Sequence, residues 1–389
     1  MVFSKRRTDA SWIGVVLAFY SFIAIGIAEG GLGILLPSIL KTFQLNPASI
    51  TFLFLSQITG YVIAALNSGT LVSHLGLARM ILLAAISLTS ALSIYASTTH
   101  WSMMVASGTL LGLGIGLIDA GMNTFIASNQ QNANQMGFLH AFYGIGALLG
   151  PAIATTLLEA QVNWRYVYLV FASFAGFVIV GMIWAIVHHY RPLTQRIEAT
   201  ASTRSNLRMI FRTPTIVLSA LLLAVYVGTE ASIGNWSYTV QTVDRGTVTW
   251  LAGYSVSGYW AGLTLGRFSM GQMVRWFGAI RTIIYSLGLL LFSAGVWWLF
   301  PTQLWSLFVM GFALAAIFPT VIWLVPQRVE AALVPSAIGL MTSTASLGAA
   351  TIPTLLGWLA NQTGLGIIPM VIVGLAVFMI VLHHWINQF

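Results

Sequence analysis

Three acidic side chains lie inside long apolar stretches of the chain. Glu29 occurs in IAEGGLGILLP, Asp119 in GLIDAGMN and Glu230 in GTEASIGNW. An ionised residue at the centre of a membrane helix costs about 2.5–3.5 kcal/mol on insertion scales, and a medium of low polarity favours the protonated form of a carboxyl group. Each acid is therefore suited to take up and release a proton, or to hold Na+, as an ion-coupled carrier must. The alternative is a protonated or hydrogen-bonded packing role.

Amide and aromatic side chains accompany these acids along the sequence. Amides donate and accept hydrogen bonds, and an aromatic face packs against the C–H side of a sugar ring. We therefore expect a polyhydroxylated ligand, bound by Gln57, Asn123, Asn235, Tyr143, Tyr226, Trp236 and Trp260, with His140 as a binding or proton-relay residue. The alternative for each is an interhelical hydrogen bond or a packing contact.

The composition places these side chains in a membrane. Hydrophobic residues make up 58% of the 389 residues, charged residues make up 6%, and the mean hydropathy is +0.89. A soluble domain has about 25% charged residues, so this chain must be solvated by lipid. Its continuous apolar runs predict helices, because a membrane β-barrel alternates apolar and polar residues.

We predict twelve membrane spans from apolar runs of roughly 20 residues. Those of the first half are 12–37, 49–72, 78–98, 101–127, 137–159 and 164–188. Those of the second half are 214–241, 249–272, 281–300, 303–326, 336–360 and 366–386. The predicted fold is an all-α membrane protein with twelve transmembrane helices in two pseudo-symmetric six-helix bundles.

Landmarks of the first half recur 202 residues later. The set Gly69, Gly76, Arg79, Gly137, Gly146 and Pro151 is matched by Gly271, Gly278, Arg281, Gly339, Gly348 and Pro353. Such sustained register indicates two homologous halves. We predict an N-terminal bundle over 1–188, a cytoplasmic linker over 189–213 and a C-terminal bundle over 214–389. Repeated membrane halves that bury acidic residues are typical of secondary transporters.

Most Lys and Arg residues lie in the termini and in the even-numbered connections between spans. The opposite side carries Lys41, Arg165 and Arg245. This positive-inside bias predicts a multi-pass protein of the inner (plasma) membrane with both termini in the cytoplasm, and we expect the first span to be retained. The net charge of +8 then reflects orientation and attraction to anionic membrane lipid, so we expect no nucleic-acid partner.

No pattern in the sequence indicates an enzyme. The chain has no Cys, the histidine pairs at span ends lack a metal-ligand arrangement, and GLGIG lies in an apolar span where no phosphate loop belongs. We expect no cofactor and no metal. Arg267 lies near the predicted end of the eighth span and is expected to snorkel or to close a helix end, so we expect no basic partner for the buried acids at mid-span.

The segment GTLVSHLGLAR resembles the loop between the second and third spans of the major facilitator superfamily, written G-x-L-x-D-x-x-G-x-R. The Gly, Leu, Gly and Arg of that pattern are matched by Gly69, Leu71, Gly76 and Arg79, and Ser73 replaces the Asp. Trp164-Arg165-Tyr166 and the stretch 146–151 are also similar to the family, and the resemblance covers essentially the whole chain. It implies a gating role for Gly69, Gly76, Arg79, Gly271, Gly278 and Arg281.

Within that superfamily, several segments are similar to the group of fucose and glucose cation symporters. They are GLGIGLIDAGMN, LHAFYGIGALLGP, YVGTEASIGNW and GYWAGLTLGR. Asp119 and Asn123 match the acidic residue and the Asn four positions later in that group. Glu29 stands about one turn before the acidic position of the group, which is Gly33 here. The resemblance implies a carrier that works by alternating access.

We therefore predict symport of a small neutral polar solute, a sugar, with a proton or Na+, by a monomer. Glu29, Asp119 and Glu230 would couple ion movement to the conformational change. Two alternatives stay open. One is a proton-coupled exporter of drugs or lipid-like amphiphiles, which the many Met and aromatic residues would suit. The other is a membrane sensor that kept the carrier fold and transports nothing.

Overall fold

The structure is a computed structural model that describes residues 11–128, 134–194, 209–330 and 333–388. These residues form helices and no strand. The helices up to the predicted linker are α1 (Ser11–Gly30), α2 (Leu32–Phe43), α3 (Pro47–Leu75), α4 (Leu77–Ser97), α5 (Trp101–Ser128), α6 (Asn134–Glu159), α7 (Trp164–Val187) and α8 (Arg191–Thr194). Those after it are α9 (Pro214–Thr239), α10 (Thr249–Phe277), α11 (Ala279–Leu299), α12 (Trp305–Ala315), α13 (Ile317–Arg328), α14 (Val334–Thr363) and α15 (Ile367–Ile386).

Helix occupies all twelve predicted spans, which confirms the all-α membrane fold. Among the described residues, 10 segments are long and apolar enough to cross a membrane. The remaining two spans are α10 and α14, which have 29 and 30 residues and carry more polar side chains. Residues 195–208 of the predicted linker 189–213 lie outside the described residues.

Two predicted spans are each divided into two helices. The first breaks at Gly31, between α1 and α2, and continues to Phe43 rather than ending at residue 37. Its break follows the pair Gly30 and Gly31, and glycine weakens a helix because it loses the most backbone freedom on folding. The tenth span breaks at Ala316, between α12 and α13. The second span begins at Pro47, two residues before its predicted start, and the Asn46 side chain caps it by accepting a hydrogen bond from the Ser49 N–H at 2.8 Å.

The chain falls into two compact units. One comprises Met1–Gly31 and Ser56–Thr200, and the other comprises Leu32–Leu55 and Ala201–Phe389. Each unit therefore contains most of one predicted half, and the second also takes in α2 and the start of α3. The division into bundles at 189–213 stays a prediction.

Glycine lets two helices of the first unit approach backbone to backbone. A Cβ atom on Gly146 of α6 would lie 2.2 Å from the Ile23 carbonyl oxygen of α1, and one on Gly30 would lie 2.3 Å from the Ala147 carbonyl oxygen. Real Cβ atoms essentially never come closer than 3.0 Å to such a neighbour. Only glycine permits this contact, which sets α1 and α6 side by side.

The second unit repeats this contact between α9 and α14. A Cβ atom on Gly348 would lie 1.9 Å from the Ala224 carbonyl oxygen. Gly348 is the repeat partner of Gly146, and Ala224 lies 201 residues after Ile23. The close approach therefore recurs at the positions that the internal repeat predicts.

A tight turn also recurs in both units. Gly76 joins α3 to α4 with φ 80 and ψ 158, and Gly278 joins α10 to α11 with φ 79 and ψ 159. L-residues with a side chain rarely adopt this backbone conformation. Local backbone geometry therefore explains why glycine occurs at both Gly76 and Gly278, the matched positions of the two turns.

An arginine closes the end of α4 in the first unit and of α11 in the second. The Arg165 guanidinium donates to the carbonyl oxygens of Tyr95 and Thr98. That of Arg245 donates to the Trp297 carbonyl oxygen at 2.9 Å and lies 5.3 Å from the centre of the Trp297 ring. Partial burial lowers the pKa of Arg245, and the neighbouring Asp244 carboxylate opposes that shift. In both units a cation satisfies carbonyl groups that a helix end leaves without partners.

Candidate functional site

Glu29 is positioned by the contact between α1 and α6. It lies one residue before Gly30, and the close approach of the two helices brings Tyr143 of α6 opposite it. The Tyr143 hydroxyl donates to the Glu29 Oε2 atom at 2.8 Å, and both side chains are half-buried. The structure thus joins a predicted coupling residue to a predicted binding residue.

Asp119 of α5 is held by two neutral donors. The Tyr61 hydroxyl of α3 donates to its Oδ2 atom at 2.7 Å, and the Asn123 amide donates to its Oδ1 atom at 2.9 Å. Asn123 follows Asp119 by one helical turn, so both side chains leave the same face of α5. Asp119 and Asn123 are half-buried. No sequence pattern indicates Tyr61, because it lies 58 positions before Asp119 in the chain.

Gln57 lies about one helical turn before Tyr61 on α3, and His140 lies about one turn before Tyr143 on α6. The Gln57 amide is 3.4 Å from the Tyr95 hydroxyl. His140 is exposed on the surface of the unit and meets the Phe22 ring edge-on, with centroids 5.7 Å apart. This aromatic contact suits a packing role for the imidazole, and its part in binding or proton relay stays a prediction.

Glu230 of α9 has a basic partner, which corrects the expectation that the buried acids have none. The Arg267 Nη2 atom lies 3.6 Å from the Glu230 Oε1 atom, and the two side chains are 22% and 12% exposed. The Tyr226 hydroxyl donates to the Oε2 atom of the same carboxylate. Arg267 was expected to snorkel because the eighth span was predicted to end at residue 272. Helix α10 continues to Phe277, which places Arg267 ten residues, or about 15 Å, from its end.

Trp236 packs inside the second unit. It is 0% exposed, its indole N–H donates to the Pro353 carbonyl oxygen at 3.1 Å, and its ring meets the edge of Phe54. A Cβ atom on Gly357 would lie 2.8 Å from the same ring. These contacts occupy the ring that is predicted to face a solute, so we assign Trp236 a packing role.

Asn235 and Trp260 present polar groups without partners. Asn235 is half-buried, and its amide makes no hydrogen bond to any residue that the structure describes. Trp260 is 6% exposed, and its Nε1 atom is buried without a hydrogen-bond acceptor in the described chain. Its ring lies against Gly234, where a Cβ atom would come within 2.9 Å of it. Trp260 therefore reaches the helix that carries Glu230.

Of the predicted gating residues, Gly76 and Gly278 form the turns between α3 and α4 and between α10 and α11, and the others lie in the helices on either side of these turns. Gly69 and Gly271 have open space where a side chain would lie. Arg79 and Arg281 are exposed. Their gating role stays a prediction.

A groove of ≈ 470 Å³ lies apart from these groups, at the ends of α9 and α15. It is lined by Pro214, Val217, Leu218, Trp385 and Gln388. None of the predicted site residues lines it. Across the described ranges, no group of three or more His, Asp or Glu side chains is arranged to hold a metal ion.

Comparison with known proteins gives a consistent result. The profile of the Major Facilitator Superfamily matches residues 17–329. Bypass of stop codon protein 6 of Saccharomyces cerevisiae is 25% identical over 394 residues, covering 92% of this chain and 78% of the yeast protein. The glucose/mannose transporter GlcP of Bacillus subtilis is 24% identical over 360 residues, covering 90% of this chain and 88% of GlcP.

Among solved structures, the nucleoside transporter NupG is similar over almost the whole chain. The match has a TM-score of 0.78 and covers 98% of this chain and 100% of NupG. With 14% sequence identity, this likeness concerns the fold.

Proposed function

Because the chain belongs to the major facilitator superfamily, a family of membrane transporters, we propose that it carries a small neutral polar solute, a sugar, together with a cation. The cation is a proton or Na+. The solute site is exposed alternately to the two sides of the membrane, and the chain works as a monomer.

The environment of Asp119 carries the coupling part of the proposal. This carboxyl group sits in a membrane helix, is held by two neutral donors and forms no ion pair with any described residue. An uncompensated charge is costly there, so a proton or Na+ is the partner that neutralises it. When that cation leaves on one side of the membrane, the free-energy cost of the uncompensated carboxylate charge reappears. This cost links ion release to the conformational change. Glu29, which accepts a hydrogen bond from the neutral Tyr143 hydroxyl, is proposed as the second coupling residue.

Glu230 differs from Asp119. Its ion pair with Arg267 already compensates its charge, so it needs no further cation. We therefore place proton or Na+ exchange mainly at Asp119, with Glu29 as the second proposed residue. The polar groups beside Glu230 are proposed to bind solute.

A sugar is the solute that these side chains suit best. Asn123, Asn235 and Gln57 offer donors and acceptors to hydroxyl groups, and Trp260 offers an indole. GlcP, a relative by sequence over most of the chain, is a glucose/mannose transporter by name. We also propose that both termini lie in the cytoplasm and that the protein resides in the inner membrane, because the basic residues cluster on that side.

Reconstitution into proteoliposomes tests this function. D-glucose, D-mannose, D-galactose and D-xylose are added outside under an inward pH or Na+ gradient, and internal label and external pH are followed. We expect accumulation of at least one sugar with alkalinisation outside, or with dependence on Na+. Asp119→Asn should abolish accumulation while some sugar exchange without a gradient persists. Glu159→Gln, an exposed acid at the end of α6, is the matched control.

Two results would contradict the proposal. Extrusion of a lipophilic dye without uptake of any sugar would favour the exporter. Binding of a sugar without flux under any gradient would favour the sensor.

A further inference from the structure

We propose that the Glu230–Arg267 ion pair and the Trp260 indole form one recognition site for adjacent hydroxyl groups of an uncharged polyol. All three side chains belong to the second unit. The inference rests on the function proposed above and specifies its solute. It also gives Arg267 a role that the sequence did not suggest.

The ion pair has the chemistry of a diol receptor. A carboxylate accepts hydrogen bonds from hydroxyl groups, and a guanidinium donates hydrogen bonds through a planar fork with five N–H groups. The N–O distance of 3.6 Å exceeds the roughly 2.7–2.9 Å of a tight charge-assisted hydrogen bond. Hydroxyl groups of a ligand can therefore bind between the two charges at little loss of direct bonding.

Trp260 supplies a donor that the protein leaves unused. Its Nε1–H is buried without an acceptor in the described chain, and buried donors are seldom left so without a functional reason. The Ser257 hydroxyl, one turn earlier on the same face of α10, is also buried without a partner among the described residues. Two unused polar groups one turn apart on the same helix indicate that a ligand completes their hydrogen bonds.

The spacing of these groups suits one sugar ring. Trp260 lies against Gly234, which follows Glu230 by four residues, or about 6 Å along α9. Arg267 follows Trp260 by seven residues, so both leave the same face of α10. Along α9, about one helical turn thus separates the residue that the indole contacts from Glu230, a spacing that a sugar ring can bridge.

Two tyrosines hold the acidic end of this site in place. Tyr226 donates to the Glu230 carboxylate, and the Tyr259 hydroxyl donates to the Glu230 backbone oxygen at 3.1 Å. Because the ion pair carries no net charge, an ionised ligand would meet one like charge whichever way it bound. The site therefore favours a neutral sugar over a sugar acid or an amino sugar.

Uptake of labelled sugar into proteoliposomes tests the proposal. The labelled sugar is whichever of the four above the wild type carries, and its monodeoxy analogues, its uronic acid and its amino sugar serve as unlabelled competitors. Trp260→Phe removes the indole N–H and keeps an aromatic ring. It should raise KM roughly 3- to 10-fold, the value of one hydrogen bond, with kcat changed less than about twofold.

The decisive readout is discrimination between competitors. In the wild type at least one deoxy analogue should compete roughly tenfold more weakly than the parent sugar, because its missing hydroxyl leaves a buried group without a partner. That difference should vanish in Trp260→Phe or in Arg267→Lys. A residue with only a structural role would weaken both sugars equally. Trp276→Phe and Arg275→Lys, at exposed positions further along α10, should match the wild type.

The outcomes separate this inference from the proposed function. If the variants keep the KM and the discrimination of the wild type, or if the sugar acid or amino sugar competes better than the neutral sugar, the diol site is wrong and the carrier role stands. If the wild type carries none of the four sugars, both fail. Accumulation at saturating sugar should persist in Trp260→Phe and be lost in Asp119→Asn, so coupling and recognition are scored independently.

Discussion

Alanine at Gly348 should loosen the second unit by an amount that the structure defines. The added Cβ atom would lie 1.9 Å from the Ala224 carbonyl oxygen, against a practical minimum of 3.0 Å. Helices α9 and α14 must therefore separate by roughly 1 Å along the whole contact, and overpacking of this kind costs about 1–3 kcal/mol. The substitution also gains up to about 1 kcal/mol because alanine favours a helix over glycine.

Gly339→Ala on the same helix isolates the contact. A Cβ atom on Gly339 would have no neighbour within 4 Å, so this variant should show only the gain in helix stability. The difference between the two variants should then be about 1–3 kcal/mol, or roughly 2–12 °C in Tm for a unit of about 200 residues. Gly146→Ala and Gly137→Ala form the same pair in the first unit.

Thermal unfolding of purified protein, followed by intrinsic fluorescence, measures both pairs. Equal Tm values for Gly348→Ala and Gly339→Ala would refute the argument, because α9 and α14 would then separate without any loss of stability. A loss in the second unit without one in the first would show that the repeat does not conserve the close approach.

Three further predictions concern stability and use the same assay. Gly278→Ala should lower stability by about 1–2 kcal/mol, because φ 79 forces an L-residue into a strained conformation; Gly271→Ala, in open space, should not. Arg267→Gln should be more destabilising than the double variant Arg267→Gln/Glu230→Gln, since the single change leaves a buried carboxylate uncompensated, and a lower Tm for the double variant would contradict the ion pair. Arg245→Gln should lower the Tm by a few degrees through loss of a charged hydrogen bond worth about 1.5–3 kcal/mol, and an unchanged Tm would show that water replaces it.

The membrane helices could be predicted from sequence because each apolar run is long and its ends are polar. The breaks within two spans could not. At Gly31 the apolar pattern continues through the break into LGILLP, and Ala316 lies in the apolar run FALAAIF. Hydropathy reports which residues avoid water, whereas backbone hydrogen bonds decide where a helix ends.

The acids of the candidate site could be predicted individually, but their partners could not. Asn123 follows Asp119 by one turn, so helical periodicity alone predicts their contact. Tyr143 and Glu29 meet only because glycines of α1 and α6 let the helices approach, and the sequence does not show which helix Gly30 faces. Arg267 was misassigned because a predicted helix end five residues too early moved it from mid-span to the interface.

Adjacent aromatic and amide positions show a further limit. Asn235 and Trp236 are consecutive, and the type of each residue suits ligand binding. Consecutive side chains on a helix nevertheless point about 100° apart. Trp236 packs inward against Pro353, whereas the Asn235 amide makes no hydrogen bond within the described residues. Residue types are visible in the sequence, but only tertiary packing separates the two roles.

Arg165 and Arg245 record how the two halves diverged. The helix ends that they close are equivalent, since Tyr95 and Trp297 are 202 residues apart, but the arginines are not, since they are only 80 apart and come from different connections. The two units thus meet one structural requirement with arginines from different connections. A mutational result from one half therefore applies to the residue 202 positions away only where the backbone conformation requires that residue type, as at Gly76 and Gly278. Sequence offset alone does not identify functionally equivalent residues.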